Sequence, residues 1–300
     1  MKWLLKRFFL GYLVVMFGMT GILPGCALQQ NNLRKDLSST EMSASELERS
    51  GDIYTSKGNL QLALVQYDKA LQINPGNLRI QYKKGLLFIK GDMYDSAINE
   101  FKDILKNDPK HALAYKGMGK AYFRLKQYDE AINHLTRAVE LDPKLWEACN
   151  LLGIIYDYQK KYDLAVRQYD QAINIQPREG LLYNNLGLSY AFLEQYDKAA
   201  QNFNKAIKLD PSNSKIYNNF GLVLSKLGKY DLAMEAFKKA GDEAQAYNNL
   251  GFAYLKNGEK QKAITAFEKA LVSRPTYYLK ASENLKKARI DSKENKPSTQ

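Results

Sequence analysis

A proline returns every 34 residues, at Pro75, Pro109, Pro143, Pro177 and Pro211. A single globular core has no reason to repeat at that interval. A stack of equivalent supersecondary units does, because each unit must end its last helix at the same place. Other residues keep the same step. Gly51, Gly85, Gly119, Gly153 and Gly187 share one position of the unit, and Ala63, Ala97, Ala131, Ala165 and Ala199 share another. Four residues after each alanine stands Tyr67, Phe101, Leu135, Tyr169 or Phe203. The pattern continues through Gly221, Ala233 and Phe237, and again through Gly251, Ala263 and Phe267.

The spacing therefore divides the chain into seven helix-turn-helix units, 44–77, 78–111, 112–145, 146–179, 180–213, 214–243 and 244–277. Small residues at the glycine and alanine positions predict close approach of the two helices in a unit, the glycine facing the alanine. The turns repeat as well: "GDMYDSA", "LKQYDEA", "QKKYDLA", "LEQYDKA" and "LGKYDLA" place Asp95, Asp129, Asp163, Asp197 and Asp231 where second helices start. Those aspartates are expected to cap free amides and to favour the positive helix end. One junction is irregular. In "FKKAGDEAQAYNNLG" the sixth unit is four residues short, about one helical turn. Gly241 is expected to stop the helix in a left-handed conformation, with Asp242 and Gln245 forming a capping box for the next.

These positions resemble the tetratricopeptide repeat, W-x2-L-G-x2-Y…A-x3-F…P. The resemblance implies an all-α, right-handed α-solenoid of seven units. It also implies a concave face lined by first helices, with groove positions at the second, fifth, ninth and twelfth residues of each unit. In units four to seven the fifth position carries Asn150, Asn184, Asn218 and Asn248, and the ninth carries Ile154, Leu188, Leu222 and Phe252. Amides both donate and accept, so such a row can hold a peptide backbone while the apolar row takes side chains. Asn185, Asn219 and Asn249, at the sixth position, can either join the groove or bond the neighbouring unit's backbone. Units one and three differ, with Glu48, Asp52, Lys116 and Lys120 on the same face. A chaperone-type carboxylate clamp is not matched, since Lys120 and Leu151 stand where asparagine is required.

The N-terminus reads as an export signal. Lys2, Lys6 and Arg7 precede an uncharged apolar run, "FFLGYLVVMFGMTGILPG", and a retained membrane anchor is the alternative to cleavage. The run ends in Leu23-Pro24-Gly25-Cys26, which resembles the lipobox of bacterial lipoproteins, with Pro24 where a small residue is usual. The resemblance implies a signal peptide at 1–25, a lipidated Cys26, a polar tether at 26–43 and, with Ala27 following, a body on the outer membrane facing the periplasm. Cys149 would then have no disulfide partner. Cleavage would remove three cations and no acid, leaving +9 of the formal +12. At the other end, Tyr278, Ala281, Leu285 and Ala288 recur at helical spacing and predict a capping helix at 278–290, followed by a disordered tail.

With two histidines and two cysteines, no glycine-rich phosphate loop and no HExxH, neither a cofactor, a multi-histidine metal site nor a catalytic relay is indicated. A relay would depend on His111 or His134, and His134 lies on a helix as a surface or half-buried residue. Many of the 21 tyrosines fall at packing positions, which argues against a nucleic-acid stacking platform. The expected partner is another protein, without nucleic acid or small-molecule substrate. The "AGDEAQAYNNLG" junction on a repeat lipoprotein resembles the lipoprotein of tight-adherence (Flp-type) pilus assembly. The regular array also resembles the pilotin lipoprotein of type IV pili. An adaptor presenting substrates to an envelope protease or cell-wall enzyme is a second class of function.

Overall fold

The computed structural model describes residues 42–274 and 278–293, so the export signal, Cys26, Pro275 and the tail beyond 293 lie outside the described residues. Every regular element described is a helix. The first helices of the units are α1 (Ala44–Ser56), α3 (Leu78–Lys90), α5 (Ala112–Arg124), α7 (Trp146–Tyr158), α9 (Gly180–Phe192), α11 (Ser214–Lys226) and α13 (Glu243–Lys256). The second helices are α2 (Leu60–Ile73), α4 (Tyr94–Asn107), α6 (Tyr128–Leu141), α8 (Tyr162–Ile175), α10 (Tyr196–Leu209), α12 (Tyr230–Ala240) and α14 (Lys260–Ser273), and α15 (Leu279–Lys293) follows. None of the described helices is long and apolar enough to cross a membrane.

Each helix packs on its partner and on the next unit, the arrangement of a solenoid. From α3 onward successive first helices also touch one another, whereas no comparable contact joins successive second helices. In a curved stack the elements that converge lie inside, so the first helices form the inner wall. The ridge between the two rows is the core. The alanines at 63, 97, 131, 165, 199, 233 and 263 are fully buried, and so are Phe101, Leu135, Phe203, Phe237 and Phe267. Removing such a side chain from water contributes about 1.5–3 kcal/mol.

The unit glycine faces this large residue, where the sequence had suggested the alanine. A Cβ at Gly153 would lie 2.6 Å from Tyr169 Cε1, and one at Gly221 2.5 Å from Phe237 Cε1. Phe101 is gripped on both sides: a Cβ at Gly85 of its own unit would come within 2.5 Å, and one at Gly117 of the next within 2.4 Å. An aromatic ring seated edge-on needs more room than a methyl group, so the absent side chain makes space for the ring. Gly187 is looser, its nearest ring atom at 3.1 Å.

The repeated aspartates do not cap. Met93, Gln127, Lys161, Gln195 and Lys229 occupy the cap positions of the second helices and make no side-chain cap bond. Tyrosine and aspartate follow as the first two helical residues, leaving each aspartate to act through the helix dipole. The preceding turn sets this start, holding Asp92, Lys126, Lys160 and Glu194 at φ of 58–61° where other units use Gly58, Gly228 and Gly258. True side-chain caps lie chiefly on first helices, from Asn77, His111, Glu179, Asn213 and Asp242.

At the irregular junction α12 has 11 residues where the other second helices have 14. Asp242 accepts from the Gln245 amide at 2.8 Å, as a cap should. Gly241, however, is extended (φ −168°, ψ −165°) and not left-handed. With the connector cut to Gly241 and Asp242, the chain has no room for a left-handed reversal and runs straight into its cap. The Gln245 side chain folds back over the junction, its Oε1 2.1 Å from where a Cβ at Gly241 would lie, a contact that a swing of this flexible side chain relieves.

Candidate peptide-binding groove

The asparagines of the inner wall form a ladder from unit to unit. Asn185 donates to Asn150 Oδ1 at 3.0 Å, Asn219 to Asn184 Oδ1 at 3.1 Å, and Asn249 to Asn218 Oδ1 at 2.7 Å. Asn284 of α15 donates to Asn248 Oδ1 at 2.9 Å and closes the series. Within a unit Asn184 also donates to Asn185 at 3.2 Å. The sixth-position amides thus reach the neighbouring unit's side chain, where the sequence had allowed for its backbone. Successive first helices converge on the inner face, which brings amide to amide.

This geometry sorts the predicted residues. Asn150 and Asn248 are buried at 9% and 2% exposure, so they chiefly support the wall. Asn184 and Asn218 are half-buried and lie on the accessible part of it, with Asn185, Asn219 and Asn249 between them. The apolar row is brought onto the same side: Ile154, Leu188 and Leu222 are half-buried, and Phe252 is 40% exposed. Leu222 and Phe252 line a cavity of about 240 Å³ with Ala191, Val223 and Ala253. An exposed ring beside an apolar hollow is suited to taking an aliphatic side chain.

The inner wall of the first units is built from charge. Glu48, 4% exposed, pairs with Arg79 at 2.5 Å and with Lys83 at 2.6 Å. Lys83 also pairs with Asp52 at 2.7 Å, and Lys116 with Glu147 at 3.3 Å. These pairs join adjacent units as the amides do further along.

Sequence reading missed a half-buried carboxylate bonded to two buried side chains. Asp157 accepts from Tyr169 Oη at 2.8 Å and from Ser189 Oγ at 2.8 Å. Burial raises its carboxyl pKa while both hydrogen bonds lower it. The signal was available: Tyr169 stands where most units have phenylalanine, and a buried hydroxyl needs an acceptor. Tyr67, the other tyrosine at that position, likewise donates to Asp52 at 2.7 Å.

The residues that could have suggested catalysis have structural roles. His111 caps α5, its Nδ1 accepting from Ala114 N at 3.0 Å. His134 is stacked between Tyr115 and Tyr122, with centroids at 6.0 and 5.2 Å, and burial lowers its pKa. Cys149 is fully buried, which pushes its thiol up to about 11.

The fold and its inner wall define a tetratricopeptide-repeat scaffold for protein–protein interaction. The chain belongs to the repeat family described as "Cilia and flagella-associated protein 70 C-terminal domain", whose profile matches residues 25–246, and the tetratricopeptide repeat profile matches 244–277. Among curated proteins it is similar to the TPR repeat-containing thioredoxin TTL4 of Arabidopsis thaliana, 29% identical over 86 residues. That match covers 28% of this chain and 13% of the relative. The solved C-terminal part of a TPR repeat-containing protein from Cytophaga hutchinsonii is 19% identical, with 79% of this chain and 98% of that one covered, at a TM-score of 0.59. YrrB, described as a TPR protein with an unusual peptide-binding site, is 23% identical, with 62% and 97% covered, at a TM-score of 0.51.

Proposed function

We propose that this chain is a membrane-tethered, extracytoplasmic lipoprotein that binds polypeptide partners along its inner wall, and that its setting is assembly of a pilus or secretion apparatus. The observation that carries the binding reading is the continuous inner surface of units four to seven. There an amide ladder runs beside Leu188, Leu222 and the exposed Phe252. Apolar groups held in a row on a rigid wall gain by being covered. YrrB's description as a peptide binder points the same way. The tether rests on the basic residues, apolar run and Leu23–Cys26 of the N-terminus, and the pilus setting on the likeness of the junction sequence. The reading is of a binder and not a catalyst. Both histidines and Cys149 are committed to caps, stacking and core.

Replacing Leu188 and Leu222 together by aspartate tests the groove. Partner recovery after crosslinking in intact cells should fall at least about tenfold with helicity unchanged. Undiminished recovery would refute binding by this wall. Cys26→Ser should move the protein out of the membrane fraction, and deletion should remove surface fibres and lower the amount of multimeric outer-membrane channel. Normal fibres together with a co-purifying protease would favour the adaptor reading.

A further inference from the structure

The seven units share one more packing position, and the sixth fills it differently. At the eleventh place of the unit stand Tyr54, Phe88, Tyr122, Tyr156, Tyr190 and Tyr254, but in the sixth unit Leu224. Beside several of those rings the space is closed. His134 stacks on Tyr122 with centroids 5.2 Å apart, Lys198 lies 5.3 Å from the Tyr190 centroid and Lys262 5.8 Å from that of Tyr254. The sixth unit has Ala236 where the third has His134, and Leu232 where the fifth and seventh have Lys198 and Lys262. Ring and lid are both missing.

A cavity of about 590 Å³ opens there, against about 250 Å³ at the same place in the seventh unit, which keeps Tyr254. Small-ligand sites fall in this size range. Leu224 and Ala236 are buried at its base, and Tyr217, Phe220 and the exposed Leu232 wall it. The cavity shares no residue with the inner wall. Asn218 and Leu222 follow a different stripe of α11, and the remaining walls come from α12 and from Asn204 of α10.

Charge is gathered at its mouth. Lys238 and Lys239 line the cavity and are exposed, and Glu235 is the acid that lines it with them. An aliphatic chain gains by leaving water for such a hollow, and an anion at its end gains from two ammonium groups. A neutral chain would use only the hollow and a small anion only the lysines. The combination fits an acidic amphiphile.

We propose that the sixth unit binds a fatty acid, its aliphatic chain between Tyr217, Leu224 and Leu232 and its carboxylate at Lys238 and Lys239. The site is separate from the peptide groove and does not depend on it.

The test is photolabelling of the full chain with a diazirine analogue of dodecanoic acid, the adducts being mapped by mass spectrometry. Label is expected on α11 and α12 between Tyr217 and Lys239, and unlabelled dodecanoate should compete it away. Leu224→Tyr/Leu232→Lys copies the ring and lid of the fifth and seventh units, so the array should keep its helicity. Labelling at this place should fall at least about tenfold. Lys238→Gln/Lys239→Gln should weaken competition by dodecanoate about tenfold and leave competition by dodecanol unchanged. Label found only elsewhere, or surviving Leu224→Tyr/Leu232→Lys, would overturn the site. Equal competition by dodecanoate in wild type and the lysine variant would overturn the carboxylate's place in it. Protection of these helices by a second copy or another protein, with no competition from dodecanoate, would put a polypeptide there and refute the fatty acid.

Discussion

The two ends of the inner wall solve one problem with different chemistry. In the first units, neighbours are joined by ions: Glu48 holds Arg79 and Lys83, and Asp52 holds Lys83. From the fourth unit to α15 they are joined by amides, Asn185 on Asn150 through to Asn284 on Asn248. Ion pairs saturate their own charges and respond to salt, whereas amides keep a spare donor and are indifferent to it. The charged end is therefore suited to holding the stack together, and the amide end to holding it together while offering hydrogen bonds to a guest. The exposed Phe252 belongs to the amide end.

The largest expected effect tests the frame that both ends share. Gly153→Leu should cost about 1–3 kcal/mol, since even a methyl group meets Tyr169 at 2.6 Å. Gly187→Ala, where the approach is 3.1 Å, should cost under about 1 kcal/mol. Urea unfolding of the pair would show whether the ring in the glycine's place sets the tolerance, and equal losses would deny it.

Next come the stitches. Asn248→Ala removes a buried acceptor and strands the Asn284 amide, and a loss of about 1–2 kcal/mol is expected, unchanged by salt. Glu48→Gln should cost about 1 kcal/mol, because Arg79 is largely exposed and its pairing is screened. Here the loss should shrink as salt rises towards roughly 1 M, where charges are screened within a few ångströms. Amide hydrogen exchange would resolve the two ends. If salt weakened protection equally in α1–α3 and α9–α13, the contrast would fail.

The smallest effect lies between the two ends, at His134. Burial holds its folded pKa below the unfolded value near 6.5, so the neutral ring is favoured in the fold. The stability this provides is present above that value and lost as pH falls through the folded pKa. Wild type should thus lose more stability than His134→Gln between neutral pH and pH 5, read from thermal midpoints. Parallel curves would show that the stacked ring titrates as if in water.

Much of this was legible because each repeat poses the same local problem. The step of glycine, alanine and aromatic residue gave the helix pairs, and the short junction gave its Asp242 cap. What faces the glycine was misread, because spacing says which residues share a ridge but not which of them leans across it. Reading the aspartates after each tyrosine as caps puts the helix start two residues late, since the left-handed residues at 92, 126, 160 and 194 carry no side-chain signature that places a helix start. The amide row was visible as a row, but its bonds were not. Asn249 finds Asn218 through the curvature of the stack, a property of many units together.

The central claim, that the inner wall of the amide end receives a polypeptide, is tested most directly by a photoreactive amino acid placed in turn at positions 188, 222, 52 and 272 and activated in intact cells. Positions 188 and 222 should yield one protein adduct of the same mass, and position 52 much less. Position 272, on α14 with Val272 82% exposed, should yield none of it. The same adduct from position 272, or from 52 alone, would contradict the account.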